Sequence, residues 1–231
     1  MYFDISYLIL VVPALIISLI AQIRVQTTFS KYSRVPARLT GAEASAAIQR
    51  QTGLSVPIGP IAGNLTDHFD PNSNTIALSE TVCHVASVAA VGVAAHETGH
   101  ALQYAEGYGP LRLRNSIVSV TQFASGASFW LFAIGLLIGA YSDFYSIAYL
   151  GLIGFFLVFF FQLVTLPVEF NASRRALRAL QDGHLLSDEE LKGAKAVLSA
   201  AALTYVAAML VALGQFLRLL LVLNNNRGRR R

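Results

Sequence analysis

Four long apolar stretches dominate the chain, at residues 7–23, 116–141, 144–166 and 200–223. A hydrocarbon layer about 30 Å thick takes roughly 20 helical residues to cross, so each stretch predicts a membrane-spanning helix. Inside a bilayer the backbone must satisfy its own hydrogen bonds, which makes the expected class a mainly α membrane protein. Only 13% of the residues are charged, against about 25% in an ordinary soluble domain, so a simple soluble enzyme is disfavoured. At 231 residues one membrane domain, 1–231, is expected, with polar segments at 24–115 and 167–199. The first stretch reads as a retained anchor, because only Asp4 is charged before it and no basic run leads into it.

Cys83 is the single cysteine, which excludes an intrachain disulfide framework and any multi-cysteine metal site. A metal would therefore rest on His, Asp and Glu. The one dense basic run, Arg227 to Arg231, sits at the end of the chain and suits lipid headgroups. Nucleic acid is not an expected partner, since no basic face with interleaved aromatics occurs.

Arginines and lysines mark the cytoplasmic ends of spans. Here Arg24, Lys31, Arg34 and Arg38 follow the first, Arg112 and Arg114 precede the second, and Arg174, Arg175 and Arg178 follow the third. Both polar segments are therefore expected in the cytoplasm, with the second and third spans forming a tight hairpin across Ser142-Asp143. Four complete crossings would place the terminal arginines outside, and Arg218 falls within the last apolar run. A re-entrant or partly inserted last segment stays open on this reading.

Within the first polar segment, Gly41 to Arg50 reads as an alanine-rich helix ended by Gly53. Residues 54–69 are β-prone, Asp70-Pro71-Asn72-Ser73-Asn74 is a turn signal, and Thr75 to Leu78 reads as the returning strand of a small β-hairpin. Ser79 is a suitable N-cap, and one helix is expected from Glu80 to about Tyr104, carrying His84 as well as the motif below.

That helix ends in His96-Glu97-Thr98-Gly99-His100. Histidines at i and i+4 share a helical face, so both imidazoles can reach one Zn²⁺ while the intervening glutamate addresses a water. Solvated histidines would have polar neighbours, and here the neighbours are Val91, Gly92, Val93, Ala94 and Ala95. A catalytic zinc has three protein ligands. Glu106 stands six residues after His100 but lacks the glycine that a sharp turn would need, with Gln103 in its place. Glu169 is the better candidate, because the hairpin returns it to the membrane face of His100, and a carboxylate at that depth is costly unless it is paired or bound to metal.

These residues resemble a known group. His96-Glu97-x-x-His100 followed, across a transmembrane hairpin, by Glu169-x-x-Ala172-x-Arg174 is similar to the integral-membrane gluzincins of the CAAX-prenyl-protease and heat-shock membrane-protease group. The nearest resemblance is to the neutral zinc metallopeptidases, supported by Asp67-His68-Phe69-Asp70-Pro71, Leu166-Pro167-Val168-Glu169-Phe170 and Ala200 to Val206. The broader group often has Asp four residues after the ligand glutamate, where this chain has Ser173.

The resemblance implies a zincin-like active-site helix at the cytoplasmic face of a bacterial plasma membrane. It also implies zinc held by His96, His100 and Glu169, and peptide-bond hydrolysis in membrane or unfolded proteins. Zinc lowers the pKa of a water to about 7, and Glu97 would take its proton and pass it to the leaving amine. His68, Tyr205, Arg174 and His184 are candidates for a second donor to the developing oxyanion. A membrane scaffold that binds zinc without cleaving anything is the competing reading. It leaves Glu97 without a use, and structural zinc sites are normally closed by four protein ligands.

Overall fold

The computed structural model describes residues 5–228, so Asp4 and the arginines at 229–231 lie outside the described residues. In chain order the elements are α1 (Ile5–Leu10), α2 (Val12–Tyr32), α3 (Gly41–Thr52), β1 (Ile58–Ile61), β2 (His68–Asp70), β3 (Thr75–Ser79), α4 (Glu80–Cys83), α5 (Val88–Ala105), α6 (Gly109–Ser142), α7 (Ser146–Asp182) and α8 (Asp188–Gly228). They fall into two compact units.

The first unit gathers the residues up to Ile20, Leu113–Leu166 and the residues from Thr204 on. Its sequence is that of the four apolar runs, and four helices are long and apolar enough to cross a membrane: Ile5–Tyr32, Gly109–Ser142, Ser146–Asp182 and Asp188–Asn226. Large apolar side chains stand exposed along α6, Phe123 at 78% and Trp130 at 65%, a surface that lipid accepts and water does not. The α6–α7 hairpin turns at Asp143, whose φ of 56° is left-handed. It closes through small residues: a Cβ on Gly135 would lie 2.1 Å from the Ala148 amide nitrogen, and one on Gly151 2.4 Å from that of Phe132. Phe132, Tyr145, Ala148, Leu152, Leu219 and Leu223 form the core of this unit. The last apolar run lies in one continuous helix, α8. Arg218 stands 5.0 Å over the ring of Tyr7, a cation–π contact that gives its charge an aromatic face within an apolar run.

The second unit comprises Ala21–Arg112 and Pro167–Leu203. The α3 helix opens with a capping box between Thr40 and Glu43 and ends at Gly53, left-handed at φ 69°, as glycine permits. Glu43, exposed on the helix surface, is the partner of Thr40 in this cap. The anticipated hairpin is β2–β3, with His68 opposite Ala77 and Asp70 opposite Thr75. At its turn the Asp70 carboxylate accepts from the Asn72 amide and from the Ser73 amide and hydroxyl. A third strand enlarges it: β1 pairs with β3 in parallel, giving the order β1-β3-β2.

The long helix expected from Glu80 is two helices. Ser87 adopts extended dihedrals and its hydroxyl caps the Ala90 amide, while the segment after α2 pins the break through Ala37 N–H to Ala86 O and Val88 N–H to Val35 O. His84 consequently caps α4 and is not part of α5. Ser79 stands at the N-cap of α4 without a capping bond, because its hydroxyl donates to Asp67 instead. Pro167 lies inside a continuous α7, so Glu169 extends the third span rather than starting a new helix.

The α5 helix is buried along most of its length and belongs to both cores of this unit. Val88, Val91 and Ala95 pack with Ile48, Ala176, Leu180 and Ala194, while Ala90, Ala94 and Ala101 pack with Ile76, Leu78 and Val82.

The hairpin contacts predict that Gly135→Leu lowers the thermal midpoint of the detergent-solubilised protein, by about 1–3 kcal/mol of overpacking. Gly126→Leu, where an added Cβ meets nothing within 4 Å, leaves the midpoint in place. Equal midpoints for the two variants would contradict the packing described.

Candidate metal centre

The pentapeptide on α5 meets a different requirement at each position. His96 and His100 project toward α7, where Glu169 Oε2 lies 3.3 Å from His96 Nε2 and 3.5 Å from His100 Nε2. The ligand atoms of these three residues all fall within 4.8 Å of one another. Thr98 is fully buried and bonded to Ser45 of α3 at 2.7 Å. Gly99 faces α7 so closely that an added Cβ would sit 2.6 Å from the Ala172 carbonyl oxygen. Only a hydrogen there lets α7 approach far enough for its carboxylate to meet both imidazoles.

Glu97 points elsewhere. Its carboxylate, 8% exposed with its residue, accepts the Phe69 amide of β2 at 3.0 Å. β2 is one of the two edge strands of the sheet, and the motif glutamate occupies the Phe69 amide on it. Phe69 also packs against Tyr104, with ring centroids 5.5 Å apart.

The remaining imidazole nitrogens are also bound. Gln103 Nε2 donates to the Val168 carbonyl and to Asn171 Oδ1, which turns its Oε1 toward His100 Nδ1 at 3.0 Å. An oxygen there can only accept, so Nδ1 carries the proton and Nε2 keeps a lone pair for a metal. His96 Nδ1 meets the Ser173 hydroxyl at 3.1 Å. Ser173 thus stands where the broader group has a carboxylate, and supplies the ring-orienting bond without its charge. Burial works against the His100 imidazolium, but the hydrogen bond to Glu169 and the carboxylates of Glu97 and Glu169 prevail and hold its pKa above the ordinary value. The cluster favours positive charge at its centre.

Two imidazole nitrogens and one carboxylate oxygen converging, with both Nδ1 atoms tied off, are a donor set that suits zinc. Glu106 stands apart as the C-cap of α5, its carboxylate 2.6 Å from Arg175, which holds it below the ordinary carboxylate range. Of the anticipated second donors, His68 is exposed and its Nδ1 bonds the Thr66 carbonyl. Arg174 is exposed on α7 and His184 lies in the α7–α8 turn at φ 49°, while Tyr205 belongs to the first unit. None of His68, Arg174 and His184 has a described hydrogen bond to the three clustered residues. Gln103, Ser173 and Asn171 were not singled out as orienting residues by the sequence. The one local signal was the i, i+3 spacing of Gln103 from His100.

A family model described as "putative neutral zinc metallopeptidase" matches residues 7–224. The chain is 46% identical over 224 residues to "Putative membrane protease YugP" of Bacillus subtilis (strain 168), covering 96% of this chain and 98% of that protein. No solved structure matches.

Elemental analysis of detergent-purified protein is expected to find about one zinc per chain in the wild type and in Glu106→Ala, and little in Glu169→Ala. Ser173→Ala should weaken zinc binding by about tenfold, the lower end of such effects, and Gly99→Val should abolish it by forcing α7 away. Loss with Glu106→Ala alone would contradict the ligand geometry.

Proposed function

The chain belongs to the neutral zinc metallopeptidase family, and from that premise we propose that it is a membrane-embedded, zinc-dependent endopeptidase of the gluzincin type. His96, His100 and Glu169 are the ligands in this reading, and Glu97 is the general base. The observation that carries it is the separation of roles on one helix: two imidazoles face Glu169, and the glutamate between them turns to an edge strand.

Zinc in this donor set supplies a Lewis acid that polarises a carbonyl and brings the pKa of a water to about 7. Glu97 takes the water's proton as its oxygen attacks the peptide carbonyl, and delivers that proton to the departing amine. The Phe69 amide fixes the carboxylate for both transfers. Gln103 and Ser173 hold the imidazole planes. An outer edge of the small sheet receives the substrate as an added strand, main chain to main chain, which favours extended or unfolded segments over folded domains.

The substrates in this reading are membrane proteins or unfolded chains near the bilayer, and the membrane is the bacterial plasma membrane. The arginines and lysines bordering the spans support a cytoplasmic position for the second unit.

Glu97→Gln is the first test. It should keep the wild-type zinc content and lose cleavage of an unfolded reporter such as casein by at least about a hundredfold, the usual worth of a general base. Undiminished cleavage would remove Glu97 from the mechanism, and a wild type that holds zinc but cleaves no unfolded or membrane substrate would favour the scaffold reading. For the topology, alkaline phosphatase inserted after Asp143 should be active and after Lys192 inactive; the reverse pattern would invert the orientation.

A further inference from the structure

Arg174, Arg175 and Arg178 lie within five consecutive residues of α7 and together border a cavity of about 610 Å³ in the second unit. They are not equivalent. Arg175 is committed: its Nε donates to Asn171 at 2.7 Å and its NH1 to Glu106 at 2.6 Å. Arg174 and Arg178 have no hydrogen bond or ion pair among the described residues. They stand four residues apart on the helix, where like charges repel. The only other carboxylate on the cavity wall, Asp182, forms no described ion pair with them.

The rest of the lining is polar as well. Gln51 and Thr52 face the arginines from the end of α3, and Leu102 and Ala179 are the only apolar members. Such a wall suits a hydrophilic ligand that brings negative charge. Guanidinium groups match phosphate oxygens in paired hydrogen bonds. The volume lies within the range of small-molecule sites, about 300–1,000 Å³, and is larger than a bare ion requires.

The geometry points to a binding site for a phosphate ester, with Arg174 and Arg178 as its free cations and Arg175 as its fixed floor. The ester is either a soluble small molecule or the headgroup of an anionic phospholipid. This inference does not depend on the peptidase reading, since no ligand of the metal centre lines the cavity.

The test is calorimetric titration of the full-length, zinc-loaded protein in a non-ionic detergent. The probes are glycerol 1-phosphate and short-chain phosphatidylglycerol, with short-chain phosphatidylcholine for comparison. The variants are Arg174→Gln, Arg178→Gln and the double substitution, each first checked for wild-type zinc content and thermal midpoint. The expected result is saturable binding of at least one anionic probe, weakened about tenfold by each single substitution and lost in the double. Glycerol 1-phosphate alone marks a soluble ester as the source. Phosphatidylglycerol alone, without phosphatidylcholine, marks a lipid headgroup. Binding that the double variant retains at wild-type strength, or no binding of either anionic probe, overturns the site.

Discussion

A carboxylate with only a few per cent of its surface exposed cannot remain ionised without positive partners, and Glu169 is 3% exposed. Two imidazoles on the neighbouring helix answer that demand, and their own Nδ1 atoms are answered in turn by Gln103 and Ser173. Gln103 reaches across to Val168 and Asn171, so the orienting shell returns to the helix that carries Glu169. The polar network is closed, which is the condition under which buried polar groups rigidify a core instead of weakening it.

The backbone makes this closure possible. Around α5, successive residues of a single turn meet different neighbours: α7 against Gly99, α3 against Thr98, and β2 against Glu97. Alanines at 89, 90, 94, 95 and 101 are buried along the same helix, so packing is close on several sides at once and side-chain directions are set by the helix rather than by flexible stems. Chemistry requires such placement, since reacting groups displaced by about 1 Å lose much of their advantage.

Much of this was legible in the sequence because it is written in short-range periodicity. The four spans follow from run length, and the histidine pair from its i, i+4 spacing. Glu169 follows from the cost of a carboxylate beside a span. What escaped was long-range. Parallel pairing of β1 with β3 joins segments separated by another strand and leaves no local pattern. The break before α5 depends on Val35 and Ala37, which lie about fifty residues upstream; the sequence suggested a cap only at Ser79, and the tertiary contacts start the motif-bearing helix at Ser87. Gln103 and Asn171 are ordinary polar residues until the partner helix is in place.

The strand that borders Glu97 is only three residues long. At about 3.3 Å per residue its edge measures roughly 10 Å and its Phe69 amide is taken by Glu97, so under the proposed function it offers few main-chain pairs and a weak grip on any one chain. A weak grip shifts the burden of selection from complementarity to encounter. Chains that share the bilayer with this protein meet it in two dimensions, at a local concentration no freely diffusing peptide matches. Under the proposed function, the short strand makes residence in the membrane part of the recognition, and exposure time part of the specificity.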